Sequence, residues 1–342
     1  MMTRSTPDIS VIIPVHNTID YLDECLASVC AQEDVALEIV CIDDGSNDGS
    51  DVRLAWWANH DMRIRLITQQ NSGVSAARNV GLDVACGRYV AFVDSDDSWS
   101  ASAAANLVAL GDATEADIIV YGGDGAPAGS WAAQYLRVPD GVWDNARDAL
   151  FAERSARTLV NKVIRRAMIE QNNLRFNVSL SLGEDAAFLF SVFPFARRVA
   201  FCAESYYHYR FSRGGSAMSR NSGSRQVRVD RHLAMIEDVL AFWRDHRFIK
   251  GYETDLLAWM VELIYPDLPH LSRAQRMQYA VRVREIIKDY GLPATASSEP
   301  TAYELRSILR GGSVVSKALH RLHTKGFACL GRSMVGNAAG LS

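Results

Sequence analysis

The sequence predicts an α/β protein, a mainly parallel sheet with helices on both faces, followed by a mainly helical region. Three observations carry this. Four short apolar runs alternate with amphipathic segments in the order βαβαβαβ, and the runs are closed by polar turn residues. After about residue 222 strand-like runs give way to 3.6-residue periods. Such alternation implies parallel strands joined by helical crossovers.

The elements follow in order. "ISVIIPV" (Ile9–Val15) is a β-branched run closed by the turn-like "HNT". "IDYLDECLASVCAQ" then places Leu22, Cys25, Leu26 and Val29 on one helical face. "LEIVCID" (Leu37–Asp43) reads as a second buried strand, stopped by "DGSNDGS". Asp51 to His60 reads as a helix, "IRLITQ" (Ile64–Gln69) as a third strand, "VSAARNVGLDVA" as a helix and "RYVAFVD" as a fourth strand. In open parallel sheets ligands bind beyond the carboxyl ends of the strands. Val15, Asp43 and Asp94 all stand at such ends, so topology makes their polar neighbours converge.

From about Ala101 the pattern loosens. A helix and the strand "ADIIVYGG" (Ala116–Gly123) lead into "GDGAPAGS", a surface loop by composition, and helical and aromatic segments run on to about Tyr209. "SRGGSAMSRNSGS" (Ser212–Ser224) is a Gly/Ser loop; helical periods then cover Arg228–Arg244, Thr254–Tyr265 and Arg273–Tyr290. The expected domains are 1–222 and 223–342. The helical region leaves three roles open: acceptor platform, homodimer interface or partner dock.

Bulk properties bound the function. A chain of 342 residues with formal net charge −4 offers no whole-chain case for nucleic-acid binding. The six cysteines include no C-x-x-C pair, and Cys41 in its apolar run reads as a buried free thiol. The opening "MMTRSTPD" precedes only a short apolar run, so no signal peptide is expected, and no segment approaches the ~20 apolar residues of a membrane span. A cytoplasmic protein is expected, soluble or peripheral at the inner face of the membrane. From Leu305 to the end there are six Lys/Arg and no Asp or Glu, with Leu319 and Leu322 on one helical face. That tail reads either as an amphipathic basic helix contacting an anionic membrane or as a solvated basic face.

The chemistry concentrates at the strand ends. Asp94-Ser95-Asp96, at the mouth of the fourth strand, is common turn chemistry taken alone. Two carboxylates on a loop beyond a parallel strand also suit a hard divalent cation, which would offset their repulsion and take its other ligands from water and substrate phosphates. "SVIIPVHN" sets Pro14, Val15 and Asn17 where a nucleotide base or ribose would lie. Asp44 can accept from a uracil N–H, whereas Asp43 reads as an Asx turn or helix cap. "QQNSGVSAARNVG" contributes Asn71, Ser75 and Arg78, the last a partner for a diphosphate or for a nearby Asp. Glu184-Asp185 precedes "AAFLFSVF", where carboxylates also favour a helix N-terminus.

Together "SVIIPVHNTIDYLDECLASVCAQ", "EIVCIDDGSNDGS", "QNSGVSAARNVGLDVACGRYVAFVDSDD", "NKVIRR" and "GEDAAFLF" resemble the inverting family-2 glycosyltransferases with a GT-A fold, in order over about Ile9–Ser212. The resemblance implies the GT-A nucleotide-diphospho-sugar transferase fold, a nucleotide-sugar donor (usually a UDP-sugar), a glycan or lipid-linked acceptor, and Mn²⁺ or Mg²⁺. It further implies that Pro14, Val15 and Asn17 line the nucleotide cleft, that Asp44 faces the base, and that Asn71, Ser75 and Arg78 border the nucleotide. Asp94 and Ser95 approach ribose or phosphate, and Asp96 is the principal metal ligand. Asp185 is the catalytic base with Glu184 beside it, and Lys162 stands near the acceptor. "YYHYRFSRGGS" resembles the segment after the base, where His208 completes the metal shell or packs between tyrosines, and Arg210 and Arg213 bind phosphate. His16 stands where some members carry an aromatic. The implied role is β-linkage formation in surface polysaccharide synthesis.

Other classes fit less well. "FVDSDD" also resembles the start of haloacid-dehalogenase-like phosphatases, but there the aspartate follows the first strand, and Ser98 replaces the expected Thr or Val. No G-x-G-x-x-G follows the first strand, which removes a dinucleotide-dependent dehydrogenase. A non-catalytic nucleotide-sugar-binding scaffold on the same fold remains the alternative, separable by binding of UDP without turnover.

Overall fold

The computed structural model describes residues 6–153, 155, 158–211, 223–296 and 298–311. The loop at 212–222, the basic tail from 312 with Leu319 and Leu322, and Arg213 lie outside these residues.

Strands β1 (Ile9–Val15), β2 (Leu37–Asp44), β3 (Ile64–Gln69) and β4 (Tyr89–Phe92) are parallel, in the spatial order β3-β2-β1-β4. Ile9, Val11, Ile12, Ile13 and Val15 are all fully buried, as a central parallel strand covered on both faces requires. Helices α1 (Ile19–Cys30), α2 (Ser50–His60) and α3 (Val74–Val84) make the crossovers. The predicted face of α1, Leu22, Cys25, Leu26 and Val29, is fully buried. Helix α3 meets the sheet through Gly81, where a Cβ would stand 2.4 Å from Ile12 Cγ2. Cys41 is a buried free thiol within β2.

Beyond β4 the sheet continues where the sequence pattern suggested helical and aromatic segments. Four strands there were not foreseen; the two longest are β8 (Lys162–Arg165), antiparallel to β4, and β9 (Val199–His208), parallel to β6 (Ile118–Asp124). β8 has only four residues, too few for a period, and its first is a lysine. The middle of β9, Glu204 and Ser205, is exposed, and its pairing with β6 shifts register at Gly122 and Gly123, so neither strand alternates cleanly. The short β5 (Ser98–Trp99) and β7 (Gly141–Trp143) pair antiparallel with β9. Between these strands lie α4 (Ala103–Thr114), α5 (Trp131–Leu136), α6 (Ala146–Ala152), α7 (Arg166–Gln171) and α8 (Glu184–Val192).

The register decides where chemistry can occur. Val15 pairs with Asp43, Ile12 with Phe92, and Ala91 with Val163. The carboxyl ends of β1, β2 and β4 and the first residue of β8, Lys162, therefore share one edge of the sheet.

The chain divides into two compact units, one within 1–222 together with Ala234–Phe248, the other comprising 223–233 and residues from Ile249 onward. Ala234–Phe248 belongs to the first unit although it lies past residue 222 in sequence. There Trp243 is fully buried and its indole N–H donates to Phe190 O at 2.8 Å. The second unit is helical: α10 (Glu253–Ile264), α11 (Arg273–Asp289) and α12 (Glu299–Leu309), with the start of α9 (Arg225–Asp245). Leu256, Leu257, Met260, Val261 and Val283 are buried, and Arg228 pairs with Asp267. A capping box between Ser272 and Gln275 starts α11. Among the described residues no helix is long and apolar enough to cross a membrane.

Candidate active site

Arg78 organises the shared edge. On α3, Ser75, Ala77, Arg78, Gly81 and Leu82 form the buried face, so helical period alone turns the guanidinium inward. Only 3% of its side chain is exposed. Nη1 donates to Asp185 Oδ1 at 2.6 Å and Nη2 to Asp94 Oδ1 at 3.0 Å, with Glu184 Oε1 4.0 Å from Nη1. One planar fork thus spans two motifs 91 residues apart in sequence (185 − 94). The three carboxylates hold Arg78 firmly charged, against the desolvation that burial imposes.

Asp185 is delivered by a left-handed turn: Gly183 has φ 80°, and Glu184 and Asp185 open α8. Burial pushes the Asp185 carboxyl up to about 7; Arg78 and Lys162 pull it down, and Glu184 and Asp94 add to the rise. A carboxyl poised near neutrality suits a group that must accept a proton and later release it. Lys162, 1% exposed, donates to Thr158 O at 2.5 Å and Asn161 Oδ1 at 2.6 Å. Burial brings it down to about 7, with the Asp185 charge opposing.

The acidic loop after β4 is held from several sides. Asp97 N donates to Asp94 O at 3.0 Å, closing the turn, and Thr18 Oγ1 donates to Ser95 Oγ at 3.0 Å. Asp97 is 3% exposed and both its oxygens accept hydrogen bonds, from Tyr207 Oη at 2.6 Å and Arg210 N at 2.7 Å. Burial, with the charges of Asp94 and Asp96, pushes Asp97 up to about 8. Carboxylate oxygens of Asp94, Asp96 and Asp97 lie within 4.8 Å of one another. An all-carboxylate donor set on a half-exposed loop fits a hard divalent cation. Asp94 and Asp96 are the partly exposed members; Asp97 is engaged in the turn.

Asp44 is 4% exposed and accepts from Gln69 Nε2, Ser72 N and Gly73 N at 2.7–2.9 Å, so most of its lone pairs bind the end of β3 and the turn before α3, and one site is left for a ligand donor. Asp43 accepts from Ser46 N at 3.0 Å, an Asx turn. Asn17, at φ 55°, accepts from Asn47 N, and Asn71 Nδ2 meets His16 Nε2 at 2.7 Å. Pro14 and Val15 close β1 at the same edge, and Ser75 is buried beside Arg78 on α3. Arg210 faces the acidic loop through Nε to Asp96 O at 2.9 Å, and its Nη2 pairs with Glu24 at 2.6 Å. His208 is not brought to the cluster. Nδ1 contacts Asp124 Oδ1 at 2.7 Å and Nε2 contacts Ser100 Oγ at 3.0 Å, so both ring nitrogens are already engaged and a metal-ligand role is not supported by this arrangement. β9 carries adjacent side chains to opposite faces, which sends Tyr207 inward and His208 away from it. Tyr207 was missed from sequence; only its place between expected site residues hinted at it.

An α/β sheet with a carboxylate cluster and a buried arginine fork at its carboxyl edge sets its polar groups where open parallel sheets bind ligands. Residues 10–172 match the model of glycosyl transferase family 2. The glycosyltransferase YibD of Escherichia coli (strain K12), described as uncharacterized, is 31% identical over 292 residues, 82% of this chain and 81% of that protein. The succinoglycan biosynthesis protein ExoO of Rhizobium meliloti (strain 1021) is 30% identical over 74% of this chain and 71% of its own length. A crystal structure of S. aureus TarS 1-349 in complex with UDP-GlcNAc superposes with TM-score 0.58 at 19% identity, covering 89% of this chain and 90% of that one. The fold is the GT-A type, and the chain belongs to glycosyl transferase family 2 and is a glycosyltransferase.

Proposed function

We propose that the protein is an inverting transferase that moves a sugar from a nucleotide-sugar donor, most simply a UDP-sugar, to a hydroxyl of a glycan or lipid-linked acceptor. Residues 1–222 would form the catalytic domain. The observation that carries this reading is the Arg78 fork, which sets the Asp185 carboxyl beside Asp94 of the acidic loop.

Inversion needs a single base on the acceptor side. Asp185, held near neutrality, takes the proton of the attacking hydroxyl as its oxygen approaches the anomeric carbon. Arg78 keeps Asp185 ionised often enough to do so and orients it. Asp94 and Asp96 would hold a divalent cation, Mn²⁺ or Mg²⁺, which would supply charge stabilisation for the leaving diphosphate. Asp44 offers its remaining lone pair to a base N–H, and the peptide groups of Pro14–Asn17 border the nucleoside. Succinoglycan synthesis by one relative supports a role in polysaccharide assembly.

Release of UDP from a panel of UDP-sugars, with metal and mixed glycan acceptors, tests the reading. Asp185→Asn is expected to lower transfer by about 10²–10⁴-fold while retaining UDP binding. Equal rates would remove Asp185 from the mechanism, and UDP binding with no turnover of any donor would favour the scaffold alternative.

A further inference from the structure

Lys162 also lines a separate small cavity, of ≈ 20 Å³, whose walls include Ser155, Glu153, Arg137, Val138 and Pro139. It lies by the catalytic edge, because Lys162 opens β8 and pairs with Val120 at the corresponding point of β6. The mechanism above makes no use of it.

Two observations show that the cavity is built for a polar occupant. Ser155 is 6% exposed, and its Oγ has no hydrogen-bond partner among the described residues. Buried hydroxyls in folded proteins are nearly always satisfied, by protein, water or ligand. Lys162 is almost wholly buried and is held by neutral oxygens of Thr158 and Asn161, with no carboxylate hydrogen-bonded to it among the described residues.

The walls then decide the class of occupant. An anion would meet Glu153, and a cation would meet Lys162 and Arg137. The volume admits about one water-sized group, too little for a phosphate. A hydroxyl both donates and accepts, so it suits walls that carry both kinds of group. Val138 and Pro139 add an apolar surface for the C–H side of a sugar ring.

We propose that this cavity is an acceptor subsite that receives the terminal hydroxyl of the exocyclic hydroxymethyl arm of a neutral pyranose, hydrogen-bonded to Ser155 Oγ. Occupancy there would hold the acceptor ring on the Lys162 side of Asp185. The proposal rests on the glycosyl-transfer reading and adds the chemistry of the acceptor.

The test uses the full chain loaded with UDP and divalent cation. Binding of the methyl β-pyranosides of glucose, galactose and mannose is compared by ligand-observed NMR with that of methyl β-D-xylopyranoside, which lacks the exocyclic hydroxymethyl. At least one hexoside is expected to bind about tenfold more tightly than the xyloside, the worth of one buried hydrogen bond. Ser155→Ala, which removes the hydroxyl, and Ser155→Val, which fills the space, are both expected to level the series at unchanged UDP affinity. Equal binding of all four sugars, no binding of any, or an unchanged series in Ser155→Ala would overturn the proposal and leave the cavity to water. Loss of UDP binding by the wild-type chain would instead overturn the glycosyl-transfer reading.

Discussion

Arg78→Met is the perturbation that most directly probes the site. The guanidinium is 3% exposed and stands 2.6 Å from Asp185 and 3.0 Å from Asp94, with Glu184 at 4.0 Å. Removing it leaves three carboxylates facing one another without their cation. Breaking a buried pair by deleting one partner costs about 3–5 kcal/mol, because the remaining charge keeps its desolvation penalty. Asp185→Asn in the same background removes one of the stranded charges. The double variant should therefore be more stable than the sum of the singles predicts, by about 1–3 kcal/mol. The same deletion acts on the proton chemistry. Arg78 holds Asp185 below where burial alone would put it, so its loss raises the carboxyl above about 7. The acid limb of kcat/KM should then move to higher pH by about 1–3 units, the usual effect of an adjacent guanidinium. Urea melts of the four proteins and pH–rate profiles of wild type and Arg78→Met give both quantities. Additive stability changes, within about 0.5 kcal/mol, together with an unmoved acid limb would refute the role assigned to the fork.

Four further outcomes follow from the same geometry. In the wild type, transfer should fall as pH drops through about 7, as Asp185 becomes protonated, and Asp185→Asn should lower kcat by about 10²–10⁴-fold, read as UDP release. Tyr207→Phe removes the 2.6 Å donor to buried Asp97 and should cost about 1–3 kcal/mol by urea melt while raising the Mn²⁺ concentration needed for half-maximal activity; unchanged values would show that the acidic loop holds its shape without the hydroxyl. Chelation with EDTA should abolish UDP release and added Mn²⁺ or Mg²⁺ should restore it; full activity in EDTA would remove the metal from the scheme. Gly81→Ala places a Cβ 2.4 Å from Ile12 Cγ2 and should destabilise the first unit by about 1–3 kcal/mol, checked by Trp fluorescence during denaturation.

Much of this was legible in the chain because local rules agreed. β1, β2 and β4 are mainly apolar runs ended by turn residues, β3 is a β-branched run, and α1 buries the four residues its period selects. Their order made the sheet parallel, and a parallel sheet brings Val15, Asp43 and Asp94 to one edge without any knowledge of contacts. β8 and β9 were not legible. Each is a strand because a neighbour offers a ladder: Lys162–Arg165 lies between β4 and β6, and Val199–His208 between β6, β5 and β7.

The same division runs through the site. The residue types at the strand ends are written in the chain, and motif order was enough to select Asp96, Asp185 and Arg78 as candidates. Their partners came from packing. Arg78 was open between a phosphate and an aspartate, and the packing of α3 against α8 and the β4 loop joined it to Asp185 and Asp94. His208 was drawn to Asp124 and Ser100 and Tyr207 to Asp97, because alternate residues of a strand face opposite sides. Lys162 and Ser155 meet at one cavity although they lie on different local elements. Period and composition are local and survive in a string of letters. Which side chain closes a hydrogen bond across more than a hundred residues, as Arg78 does with Asp185, depends on the three-dimensional packing that the whole chain settles together.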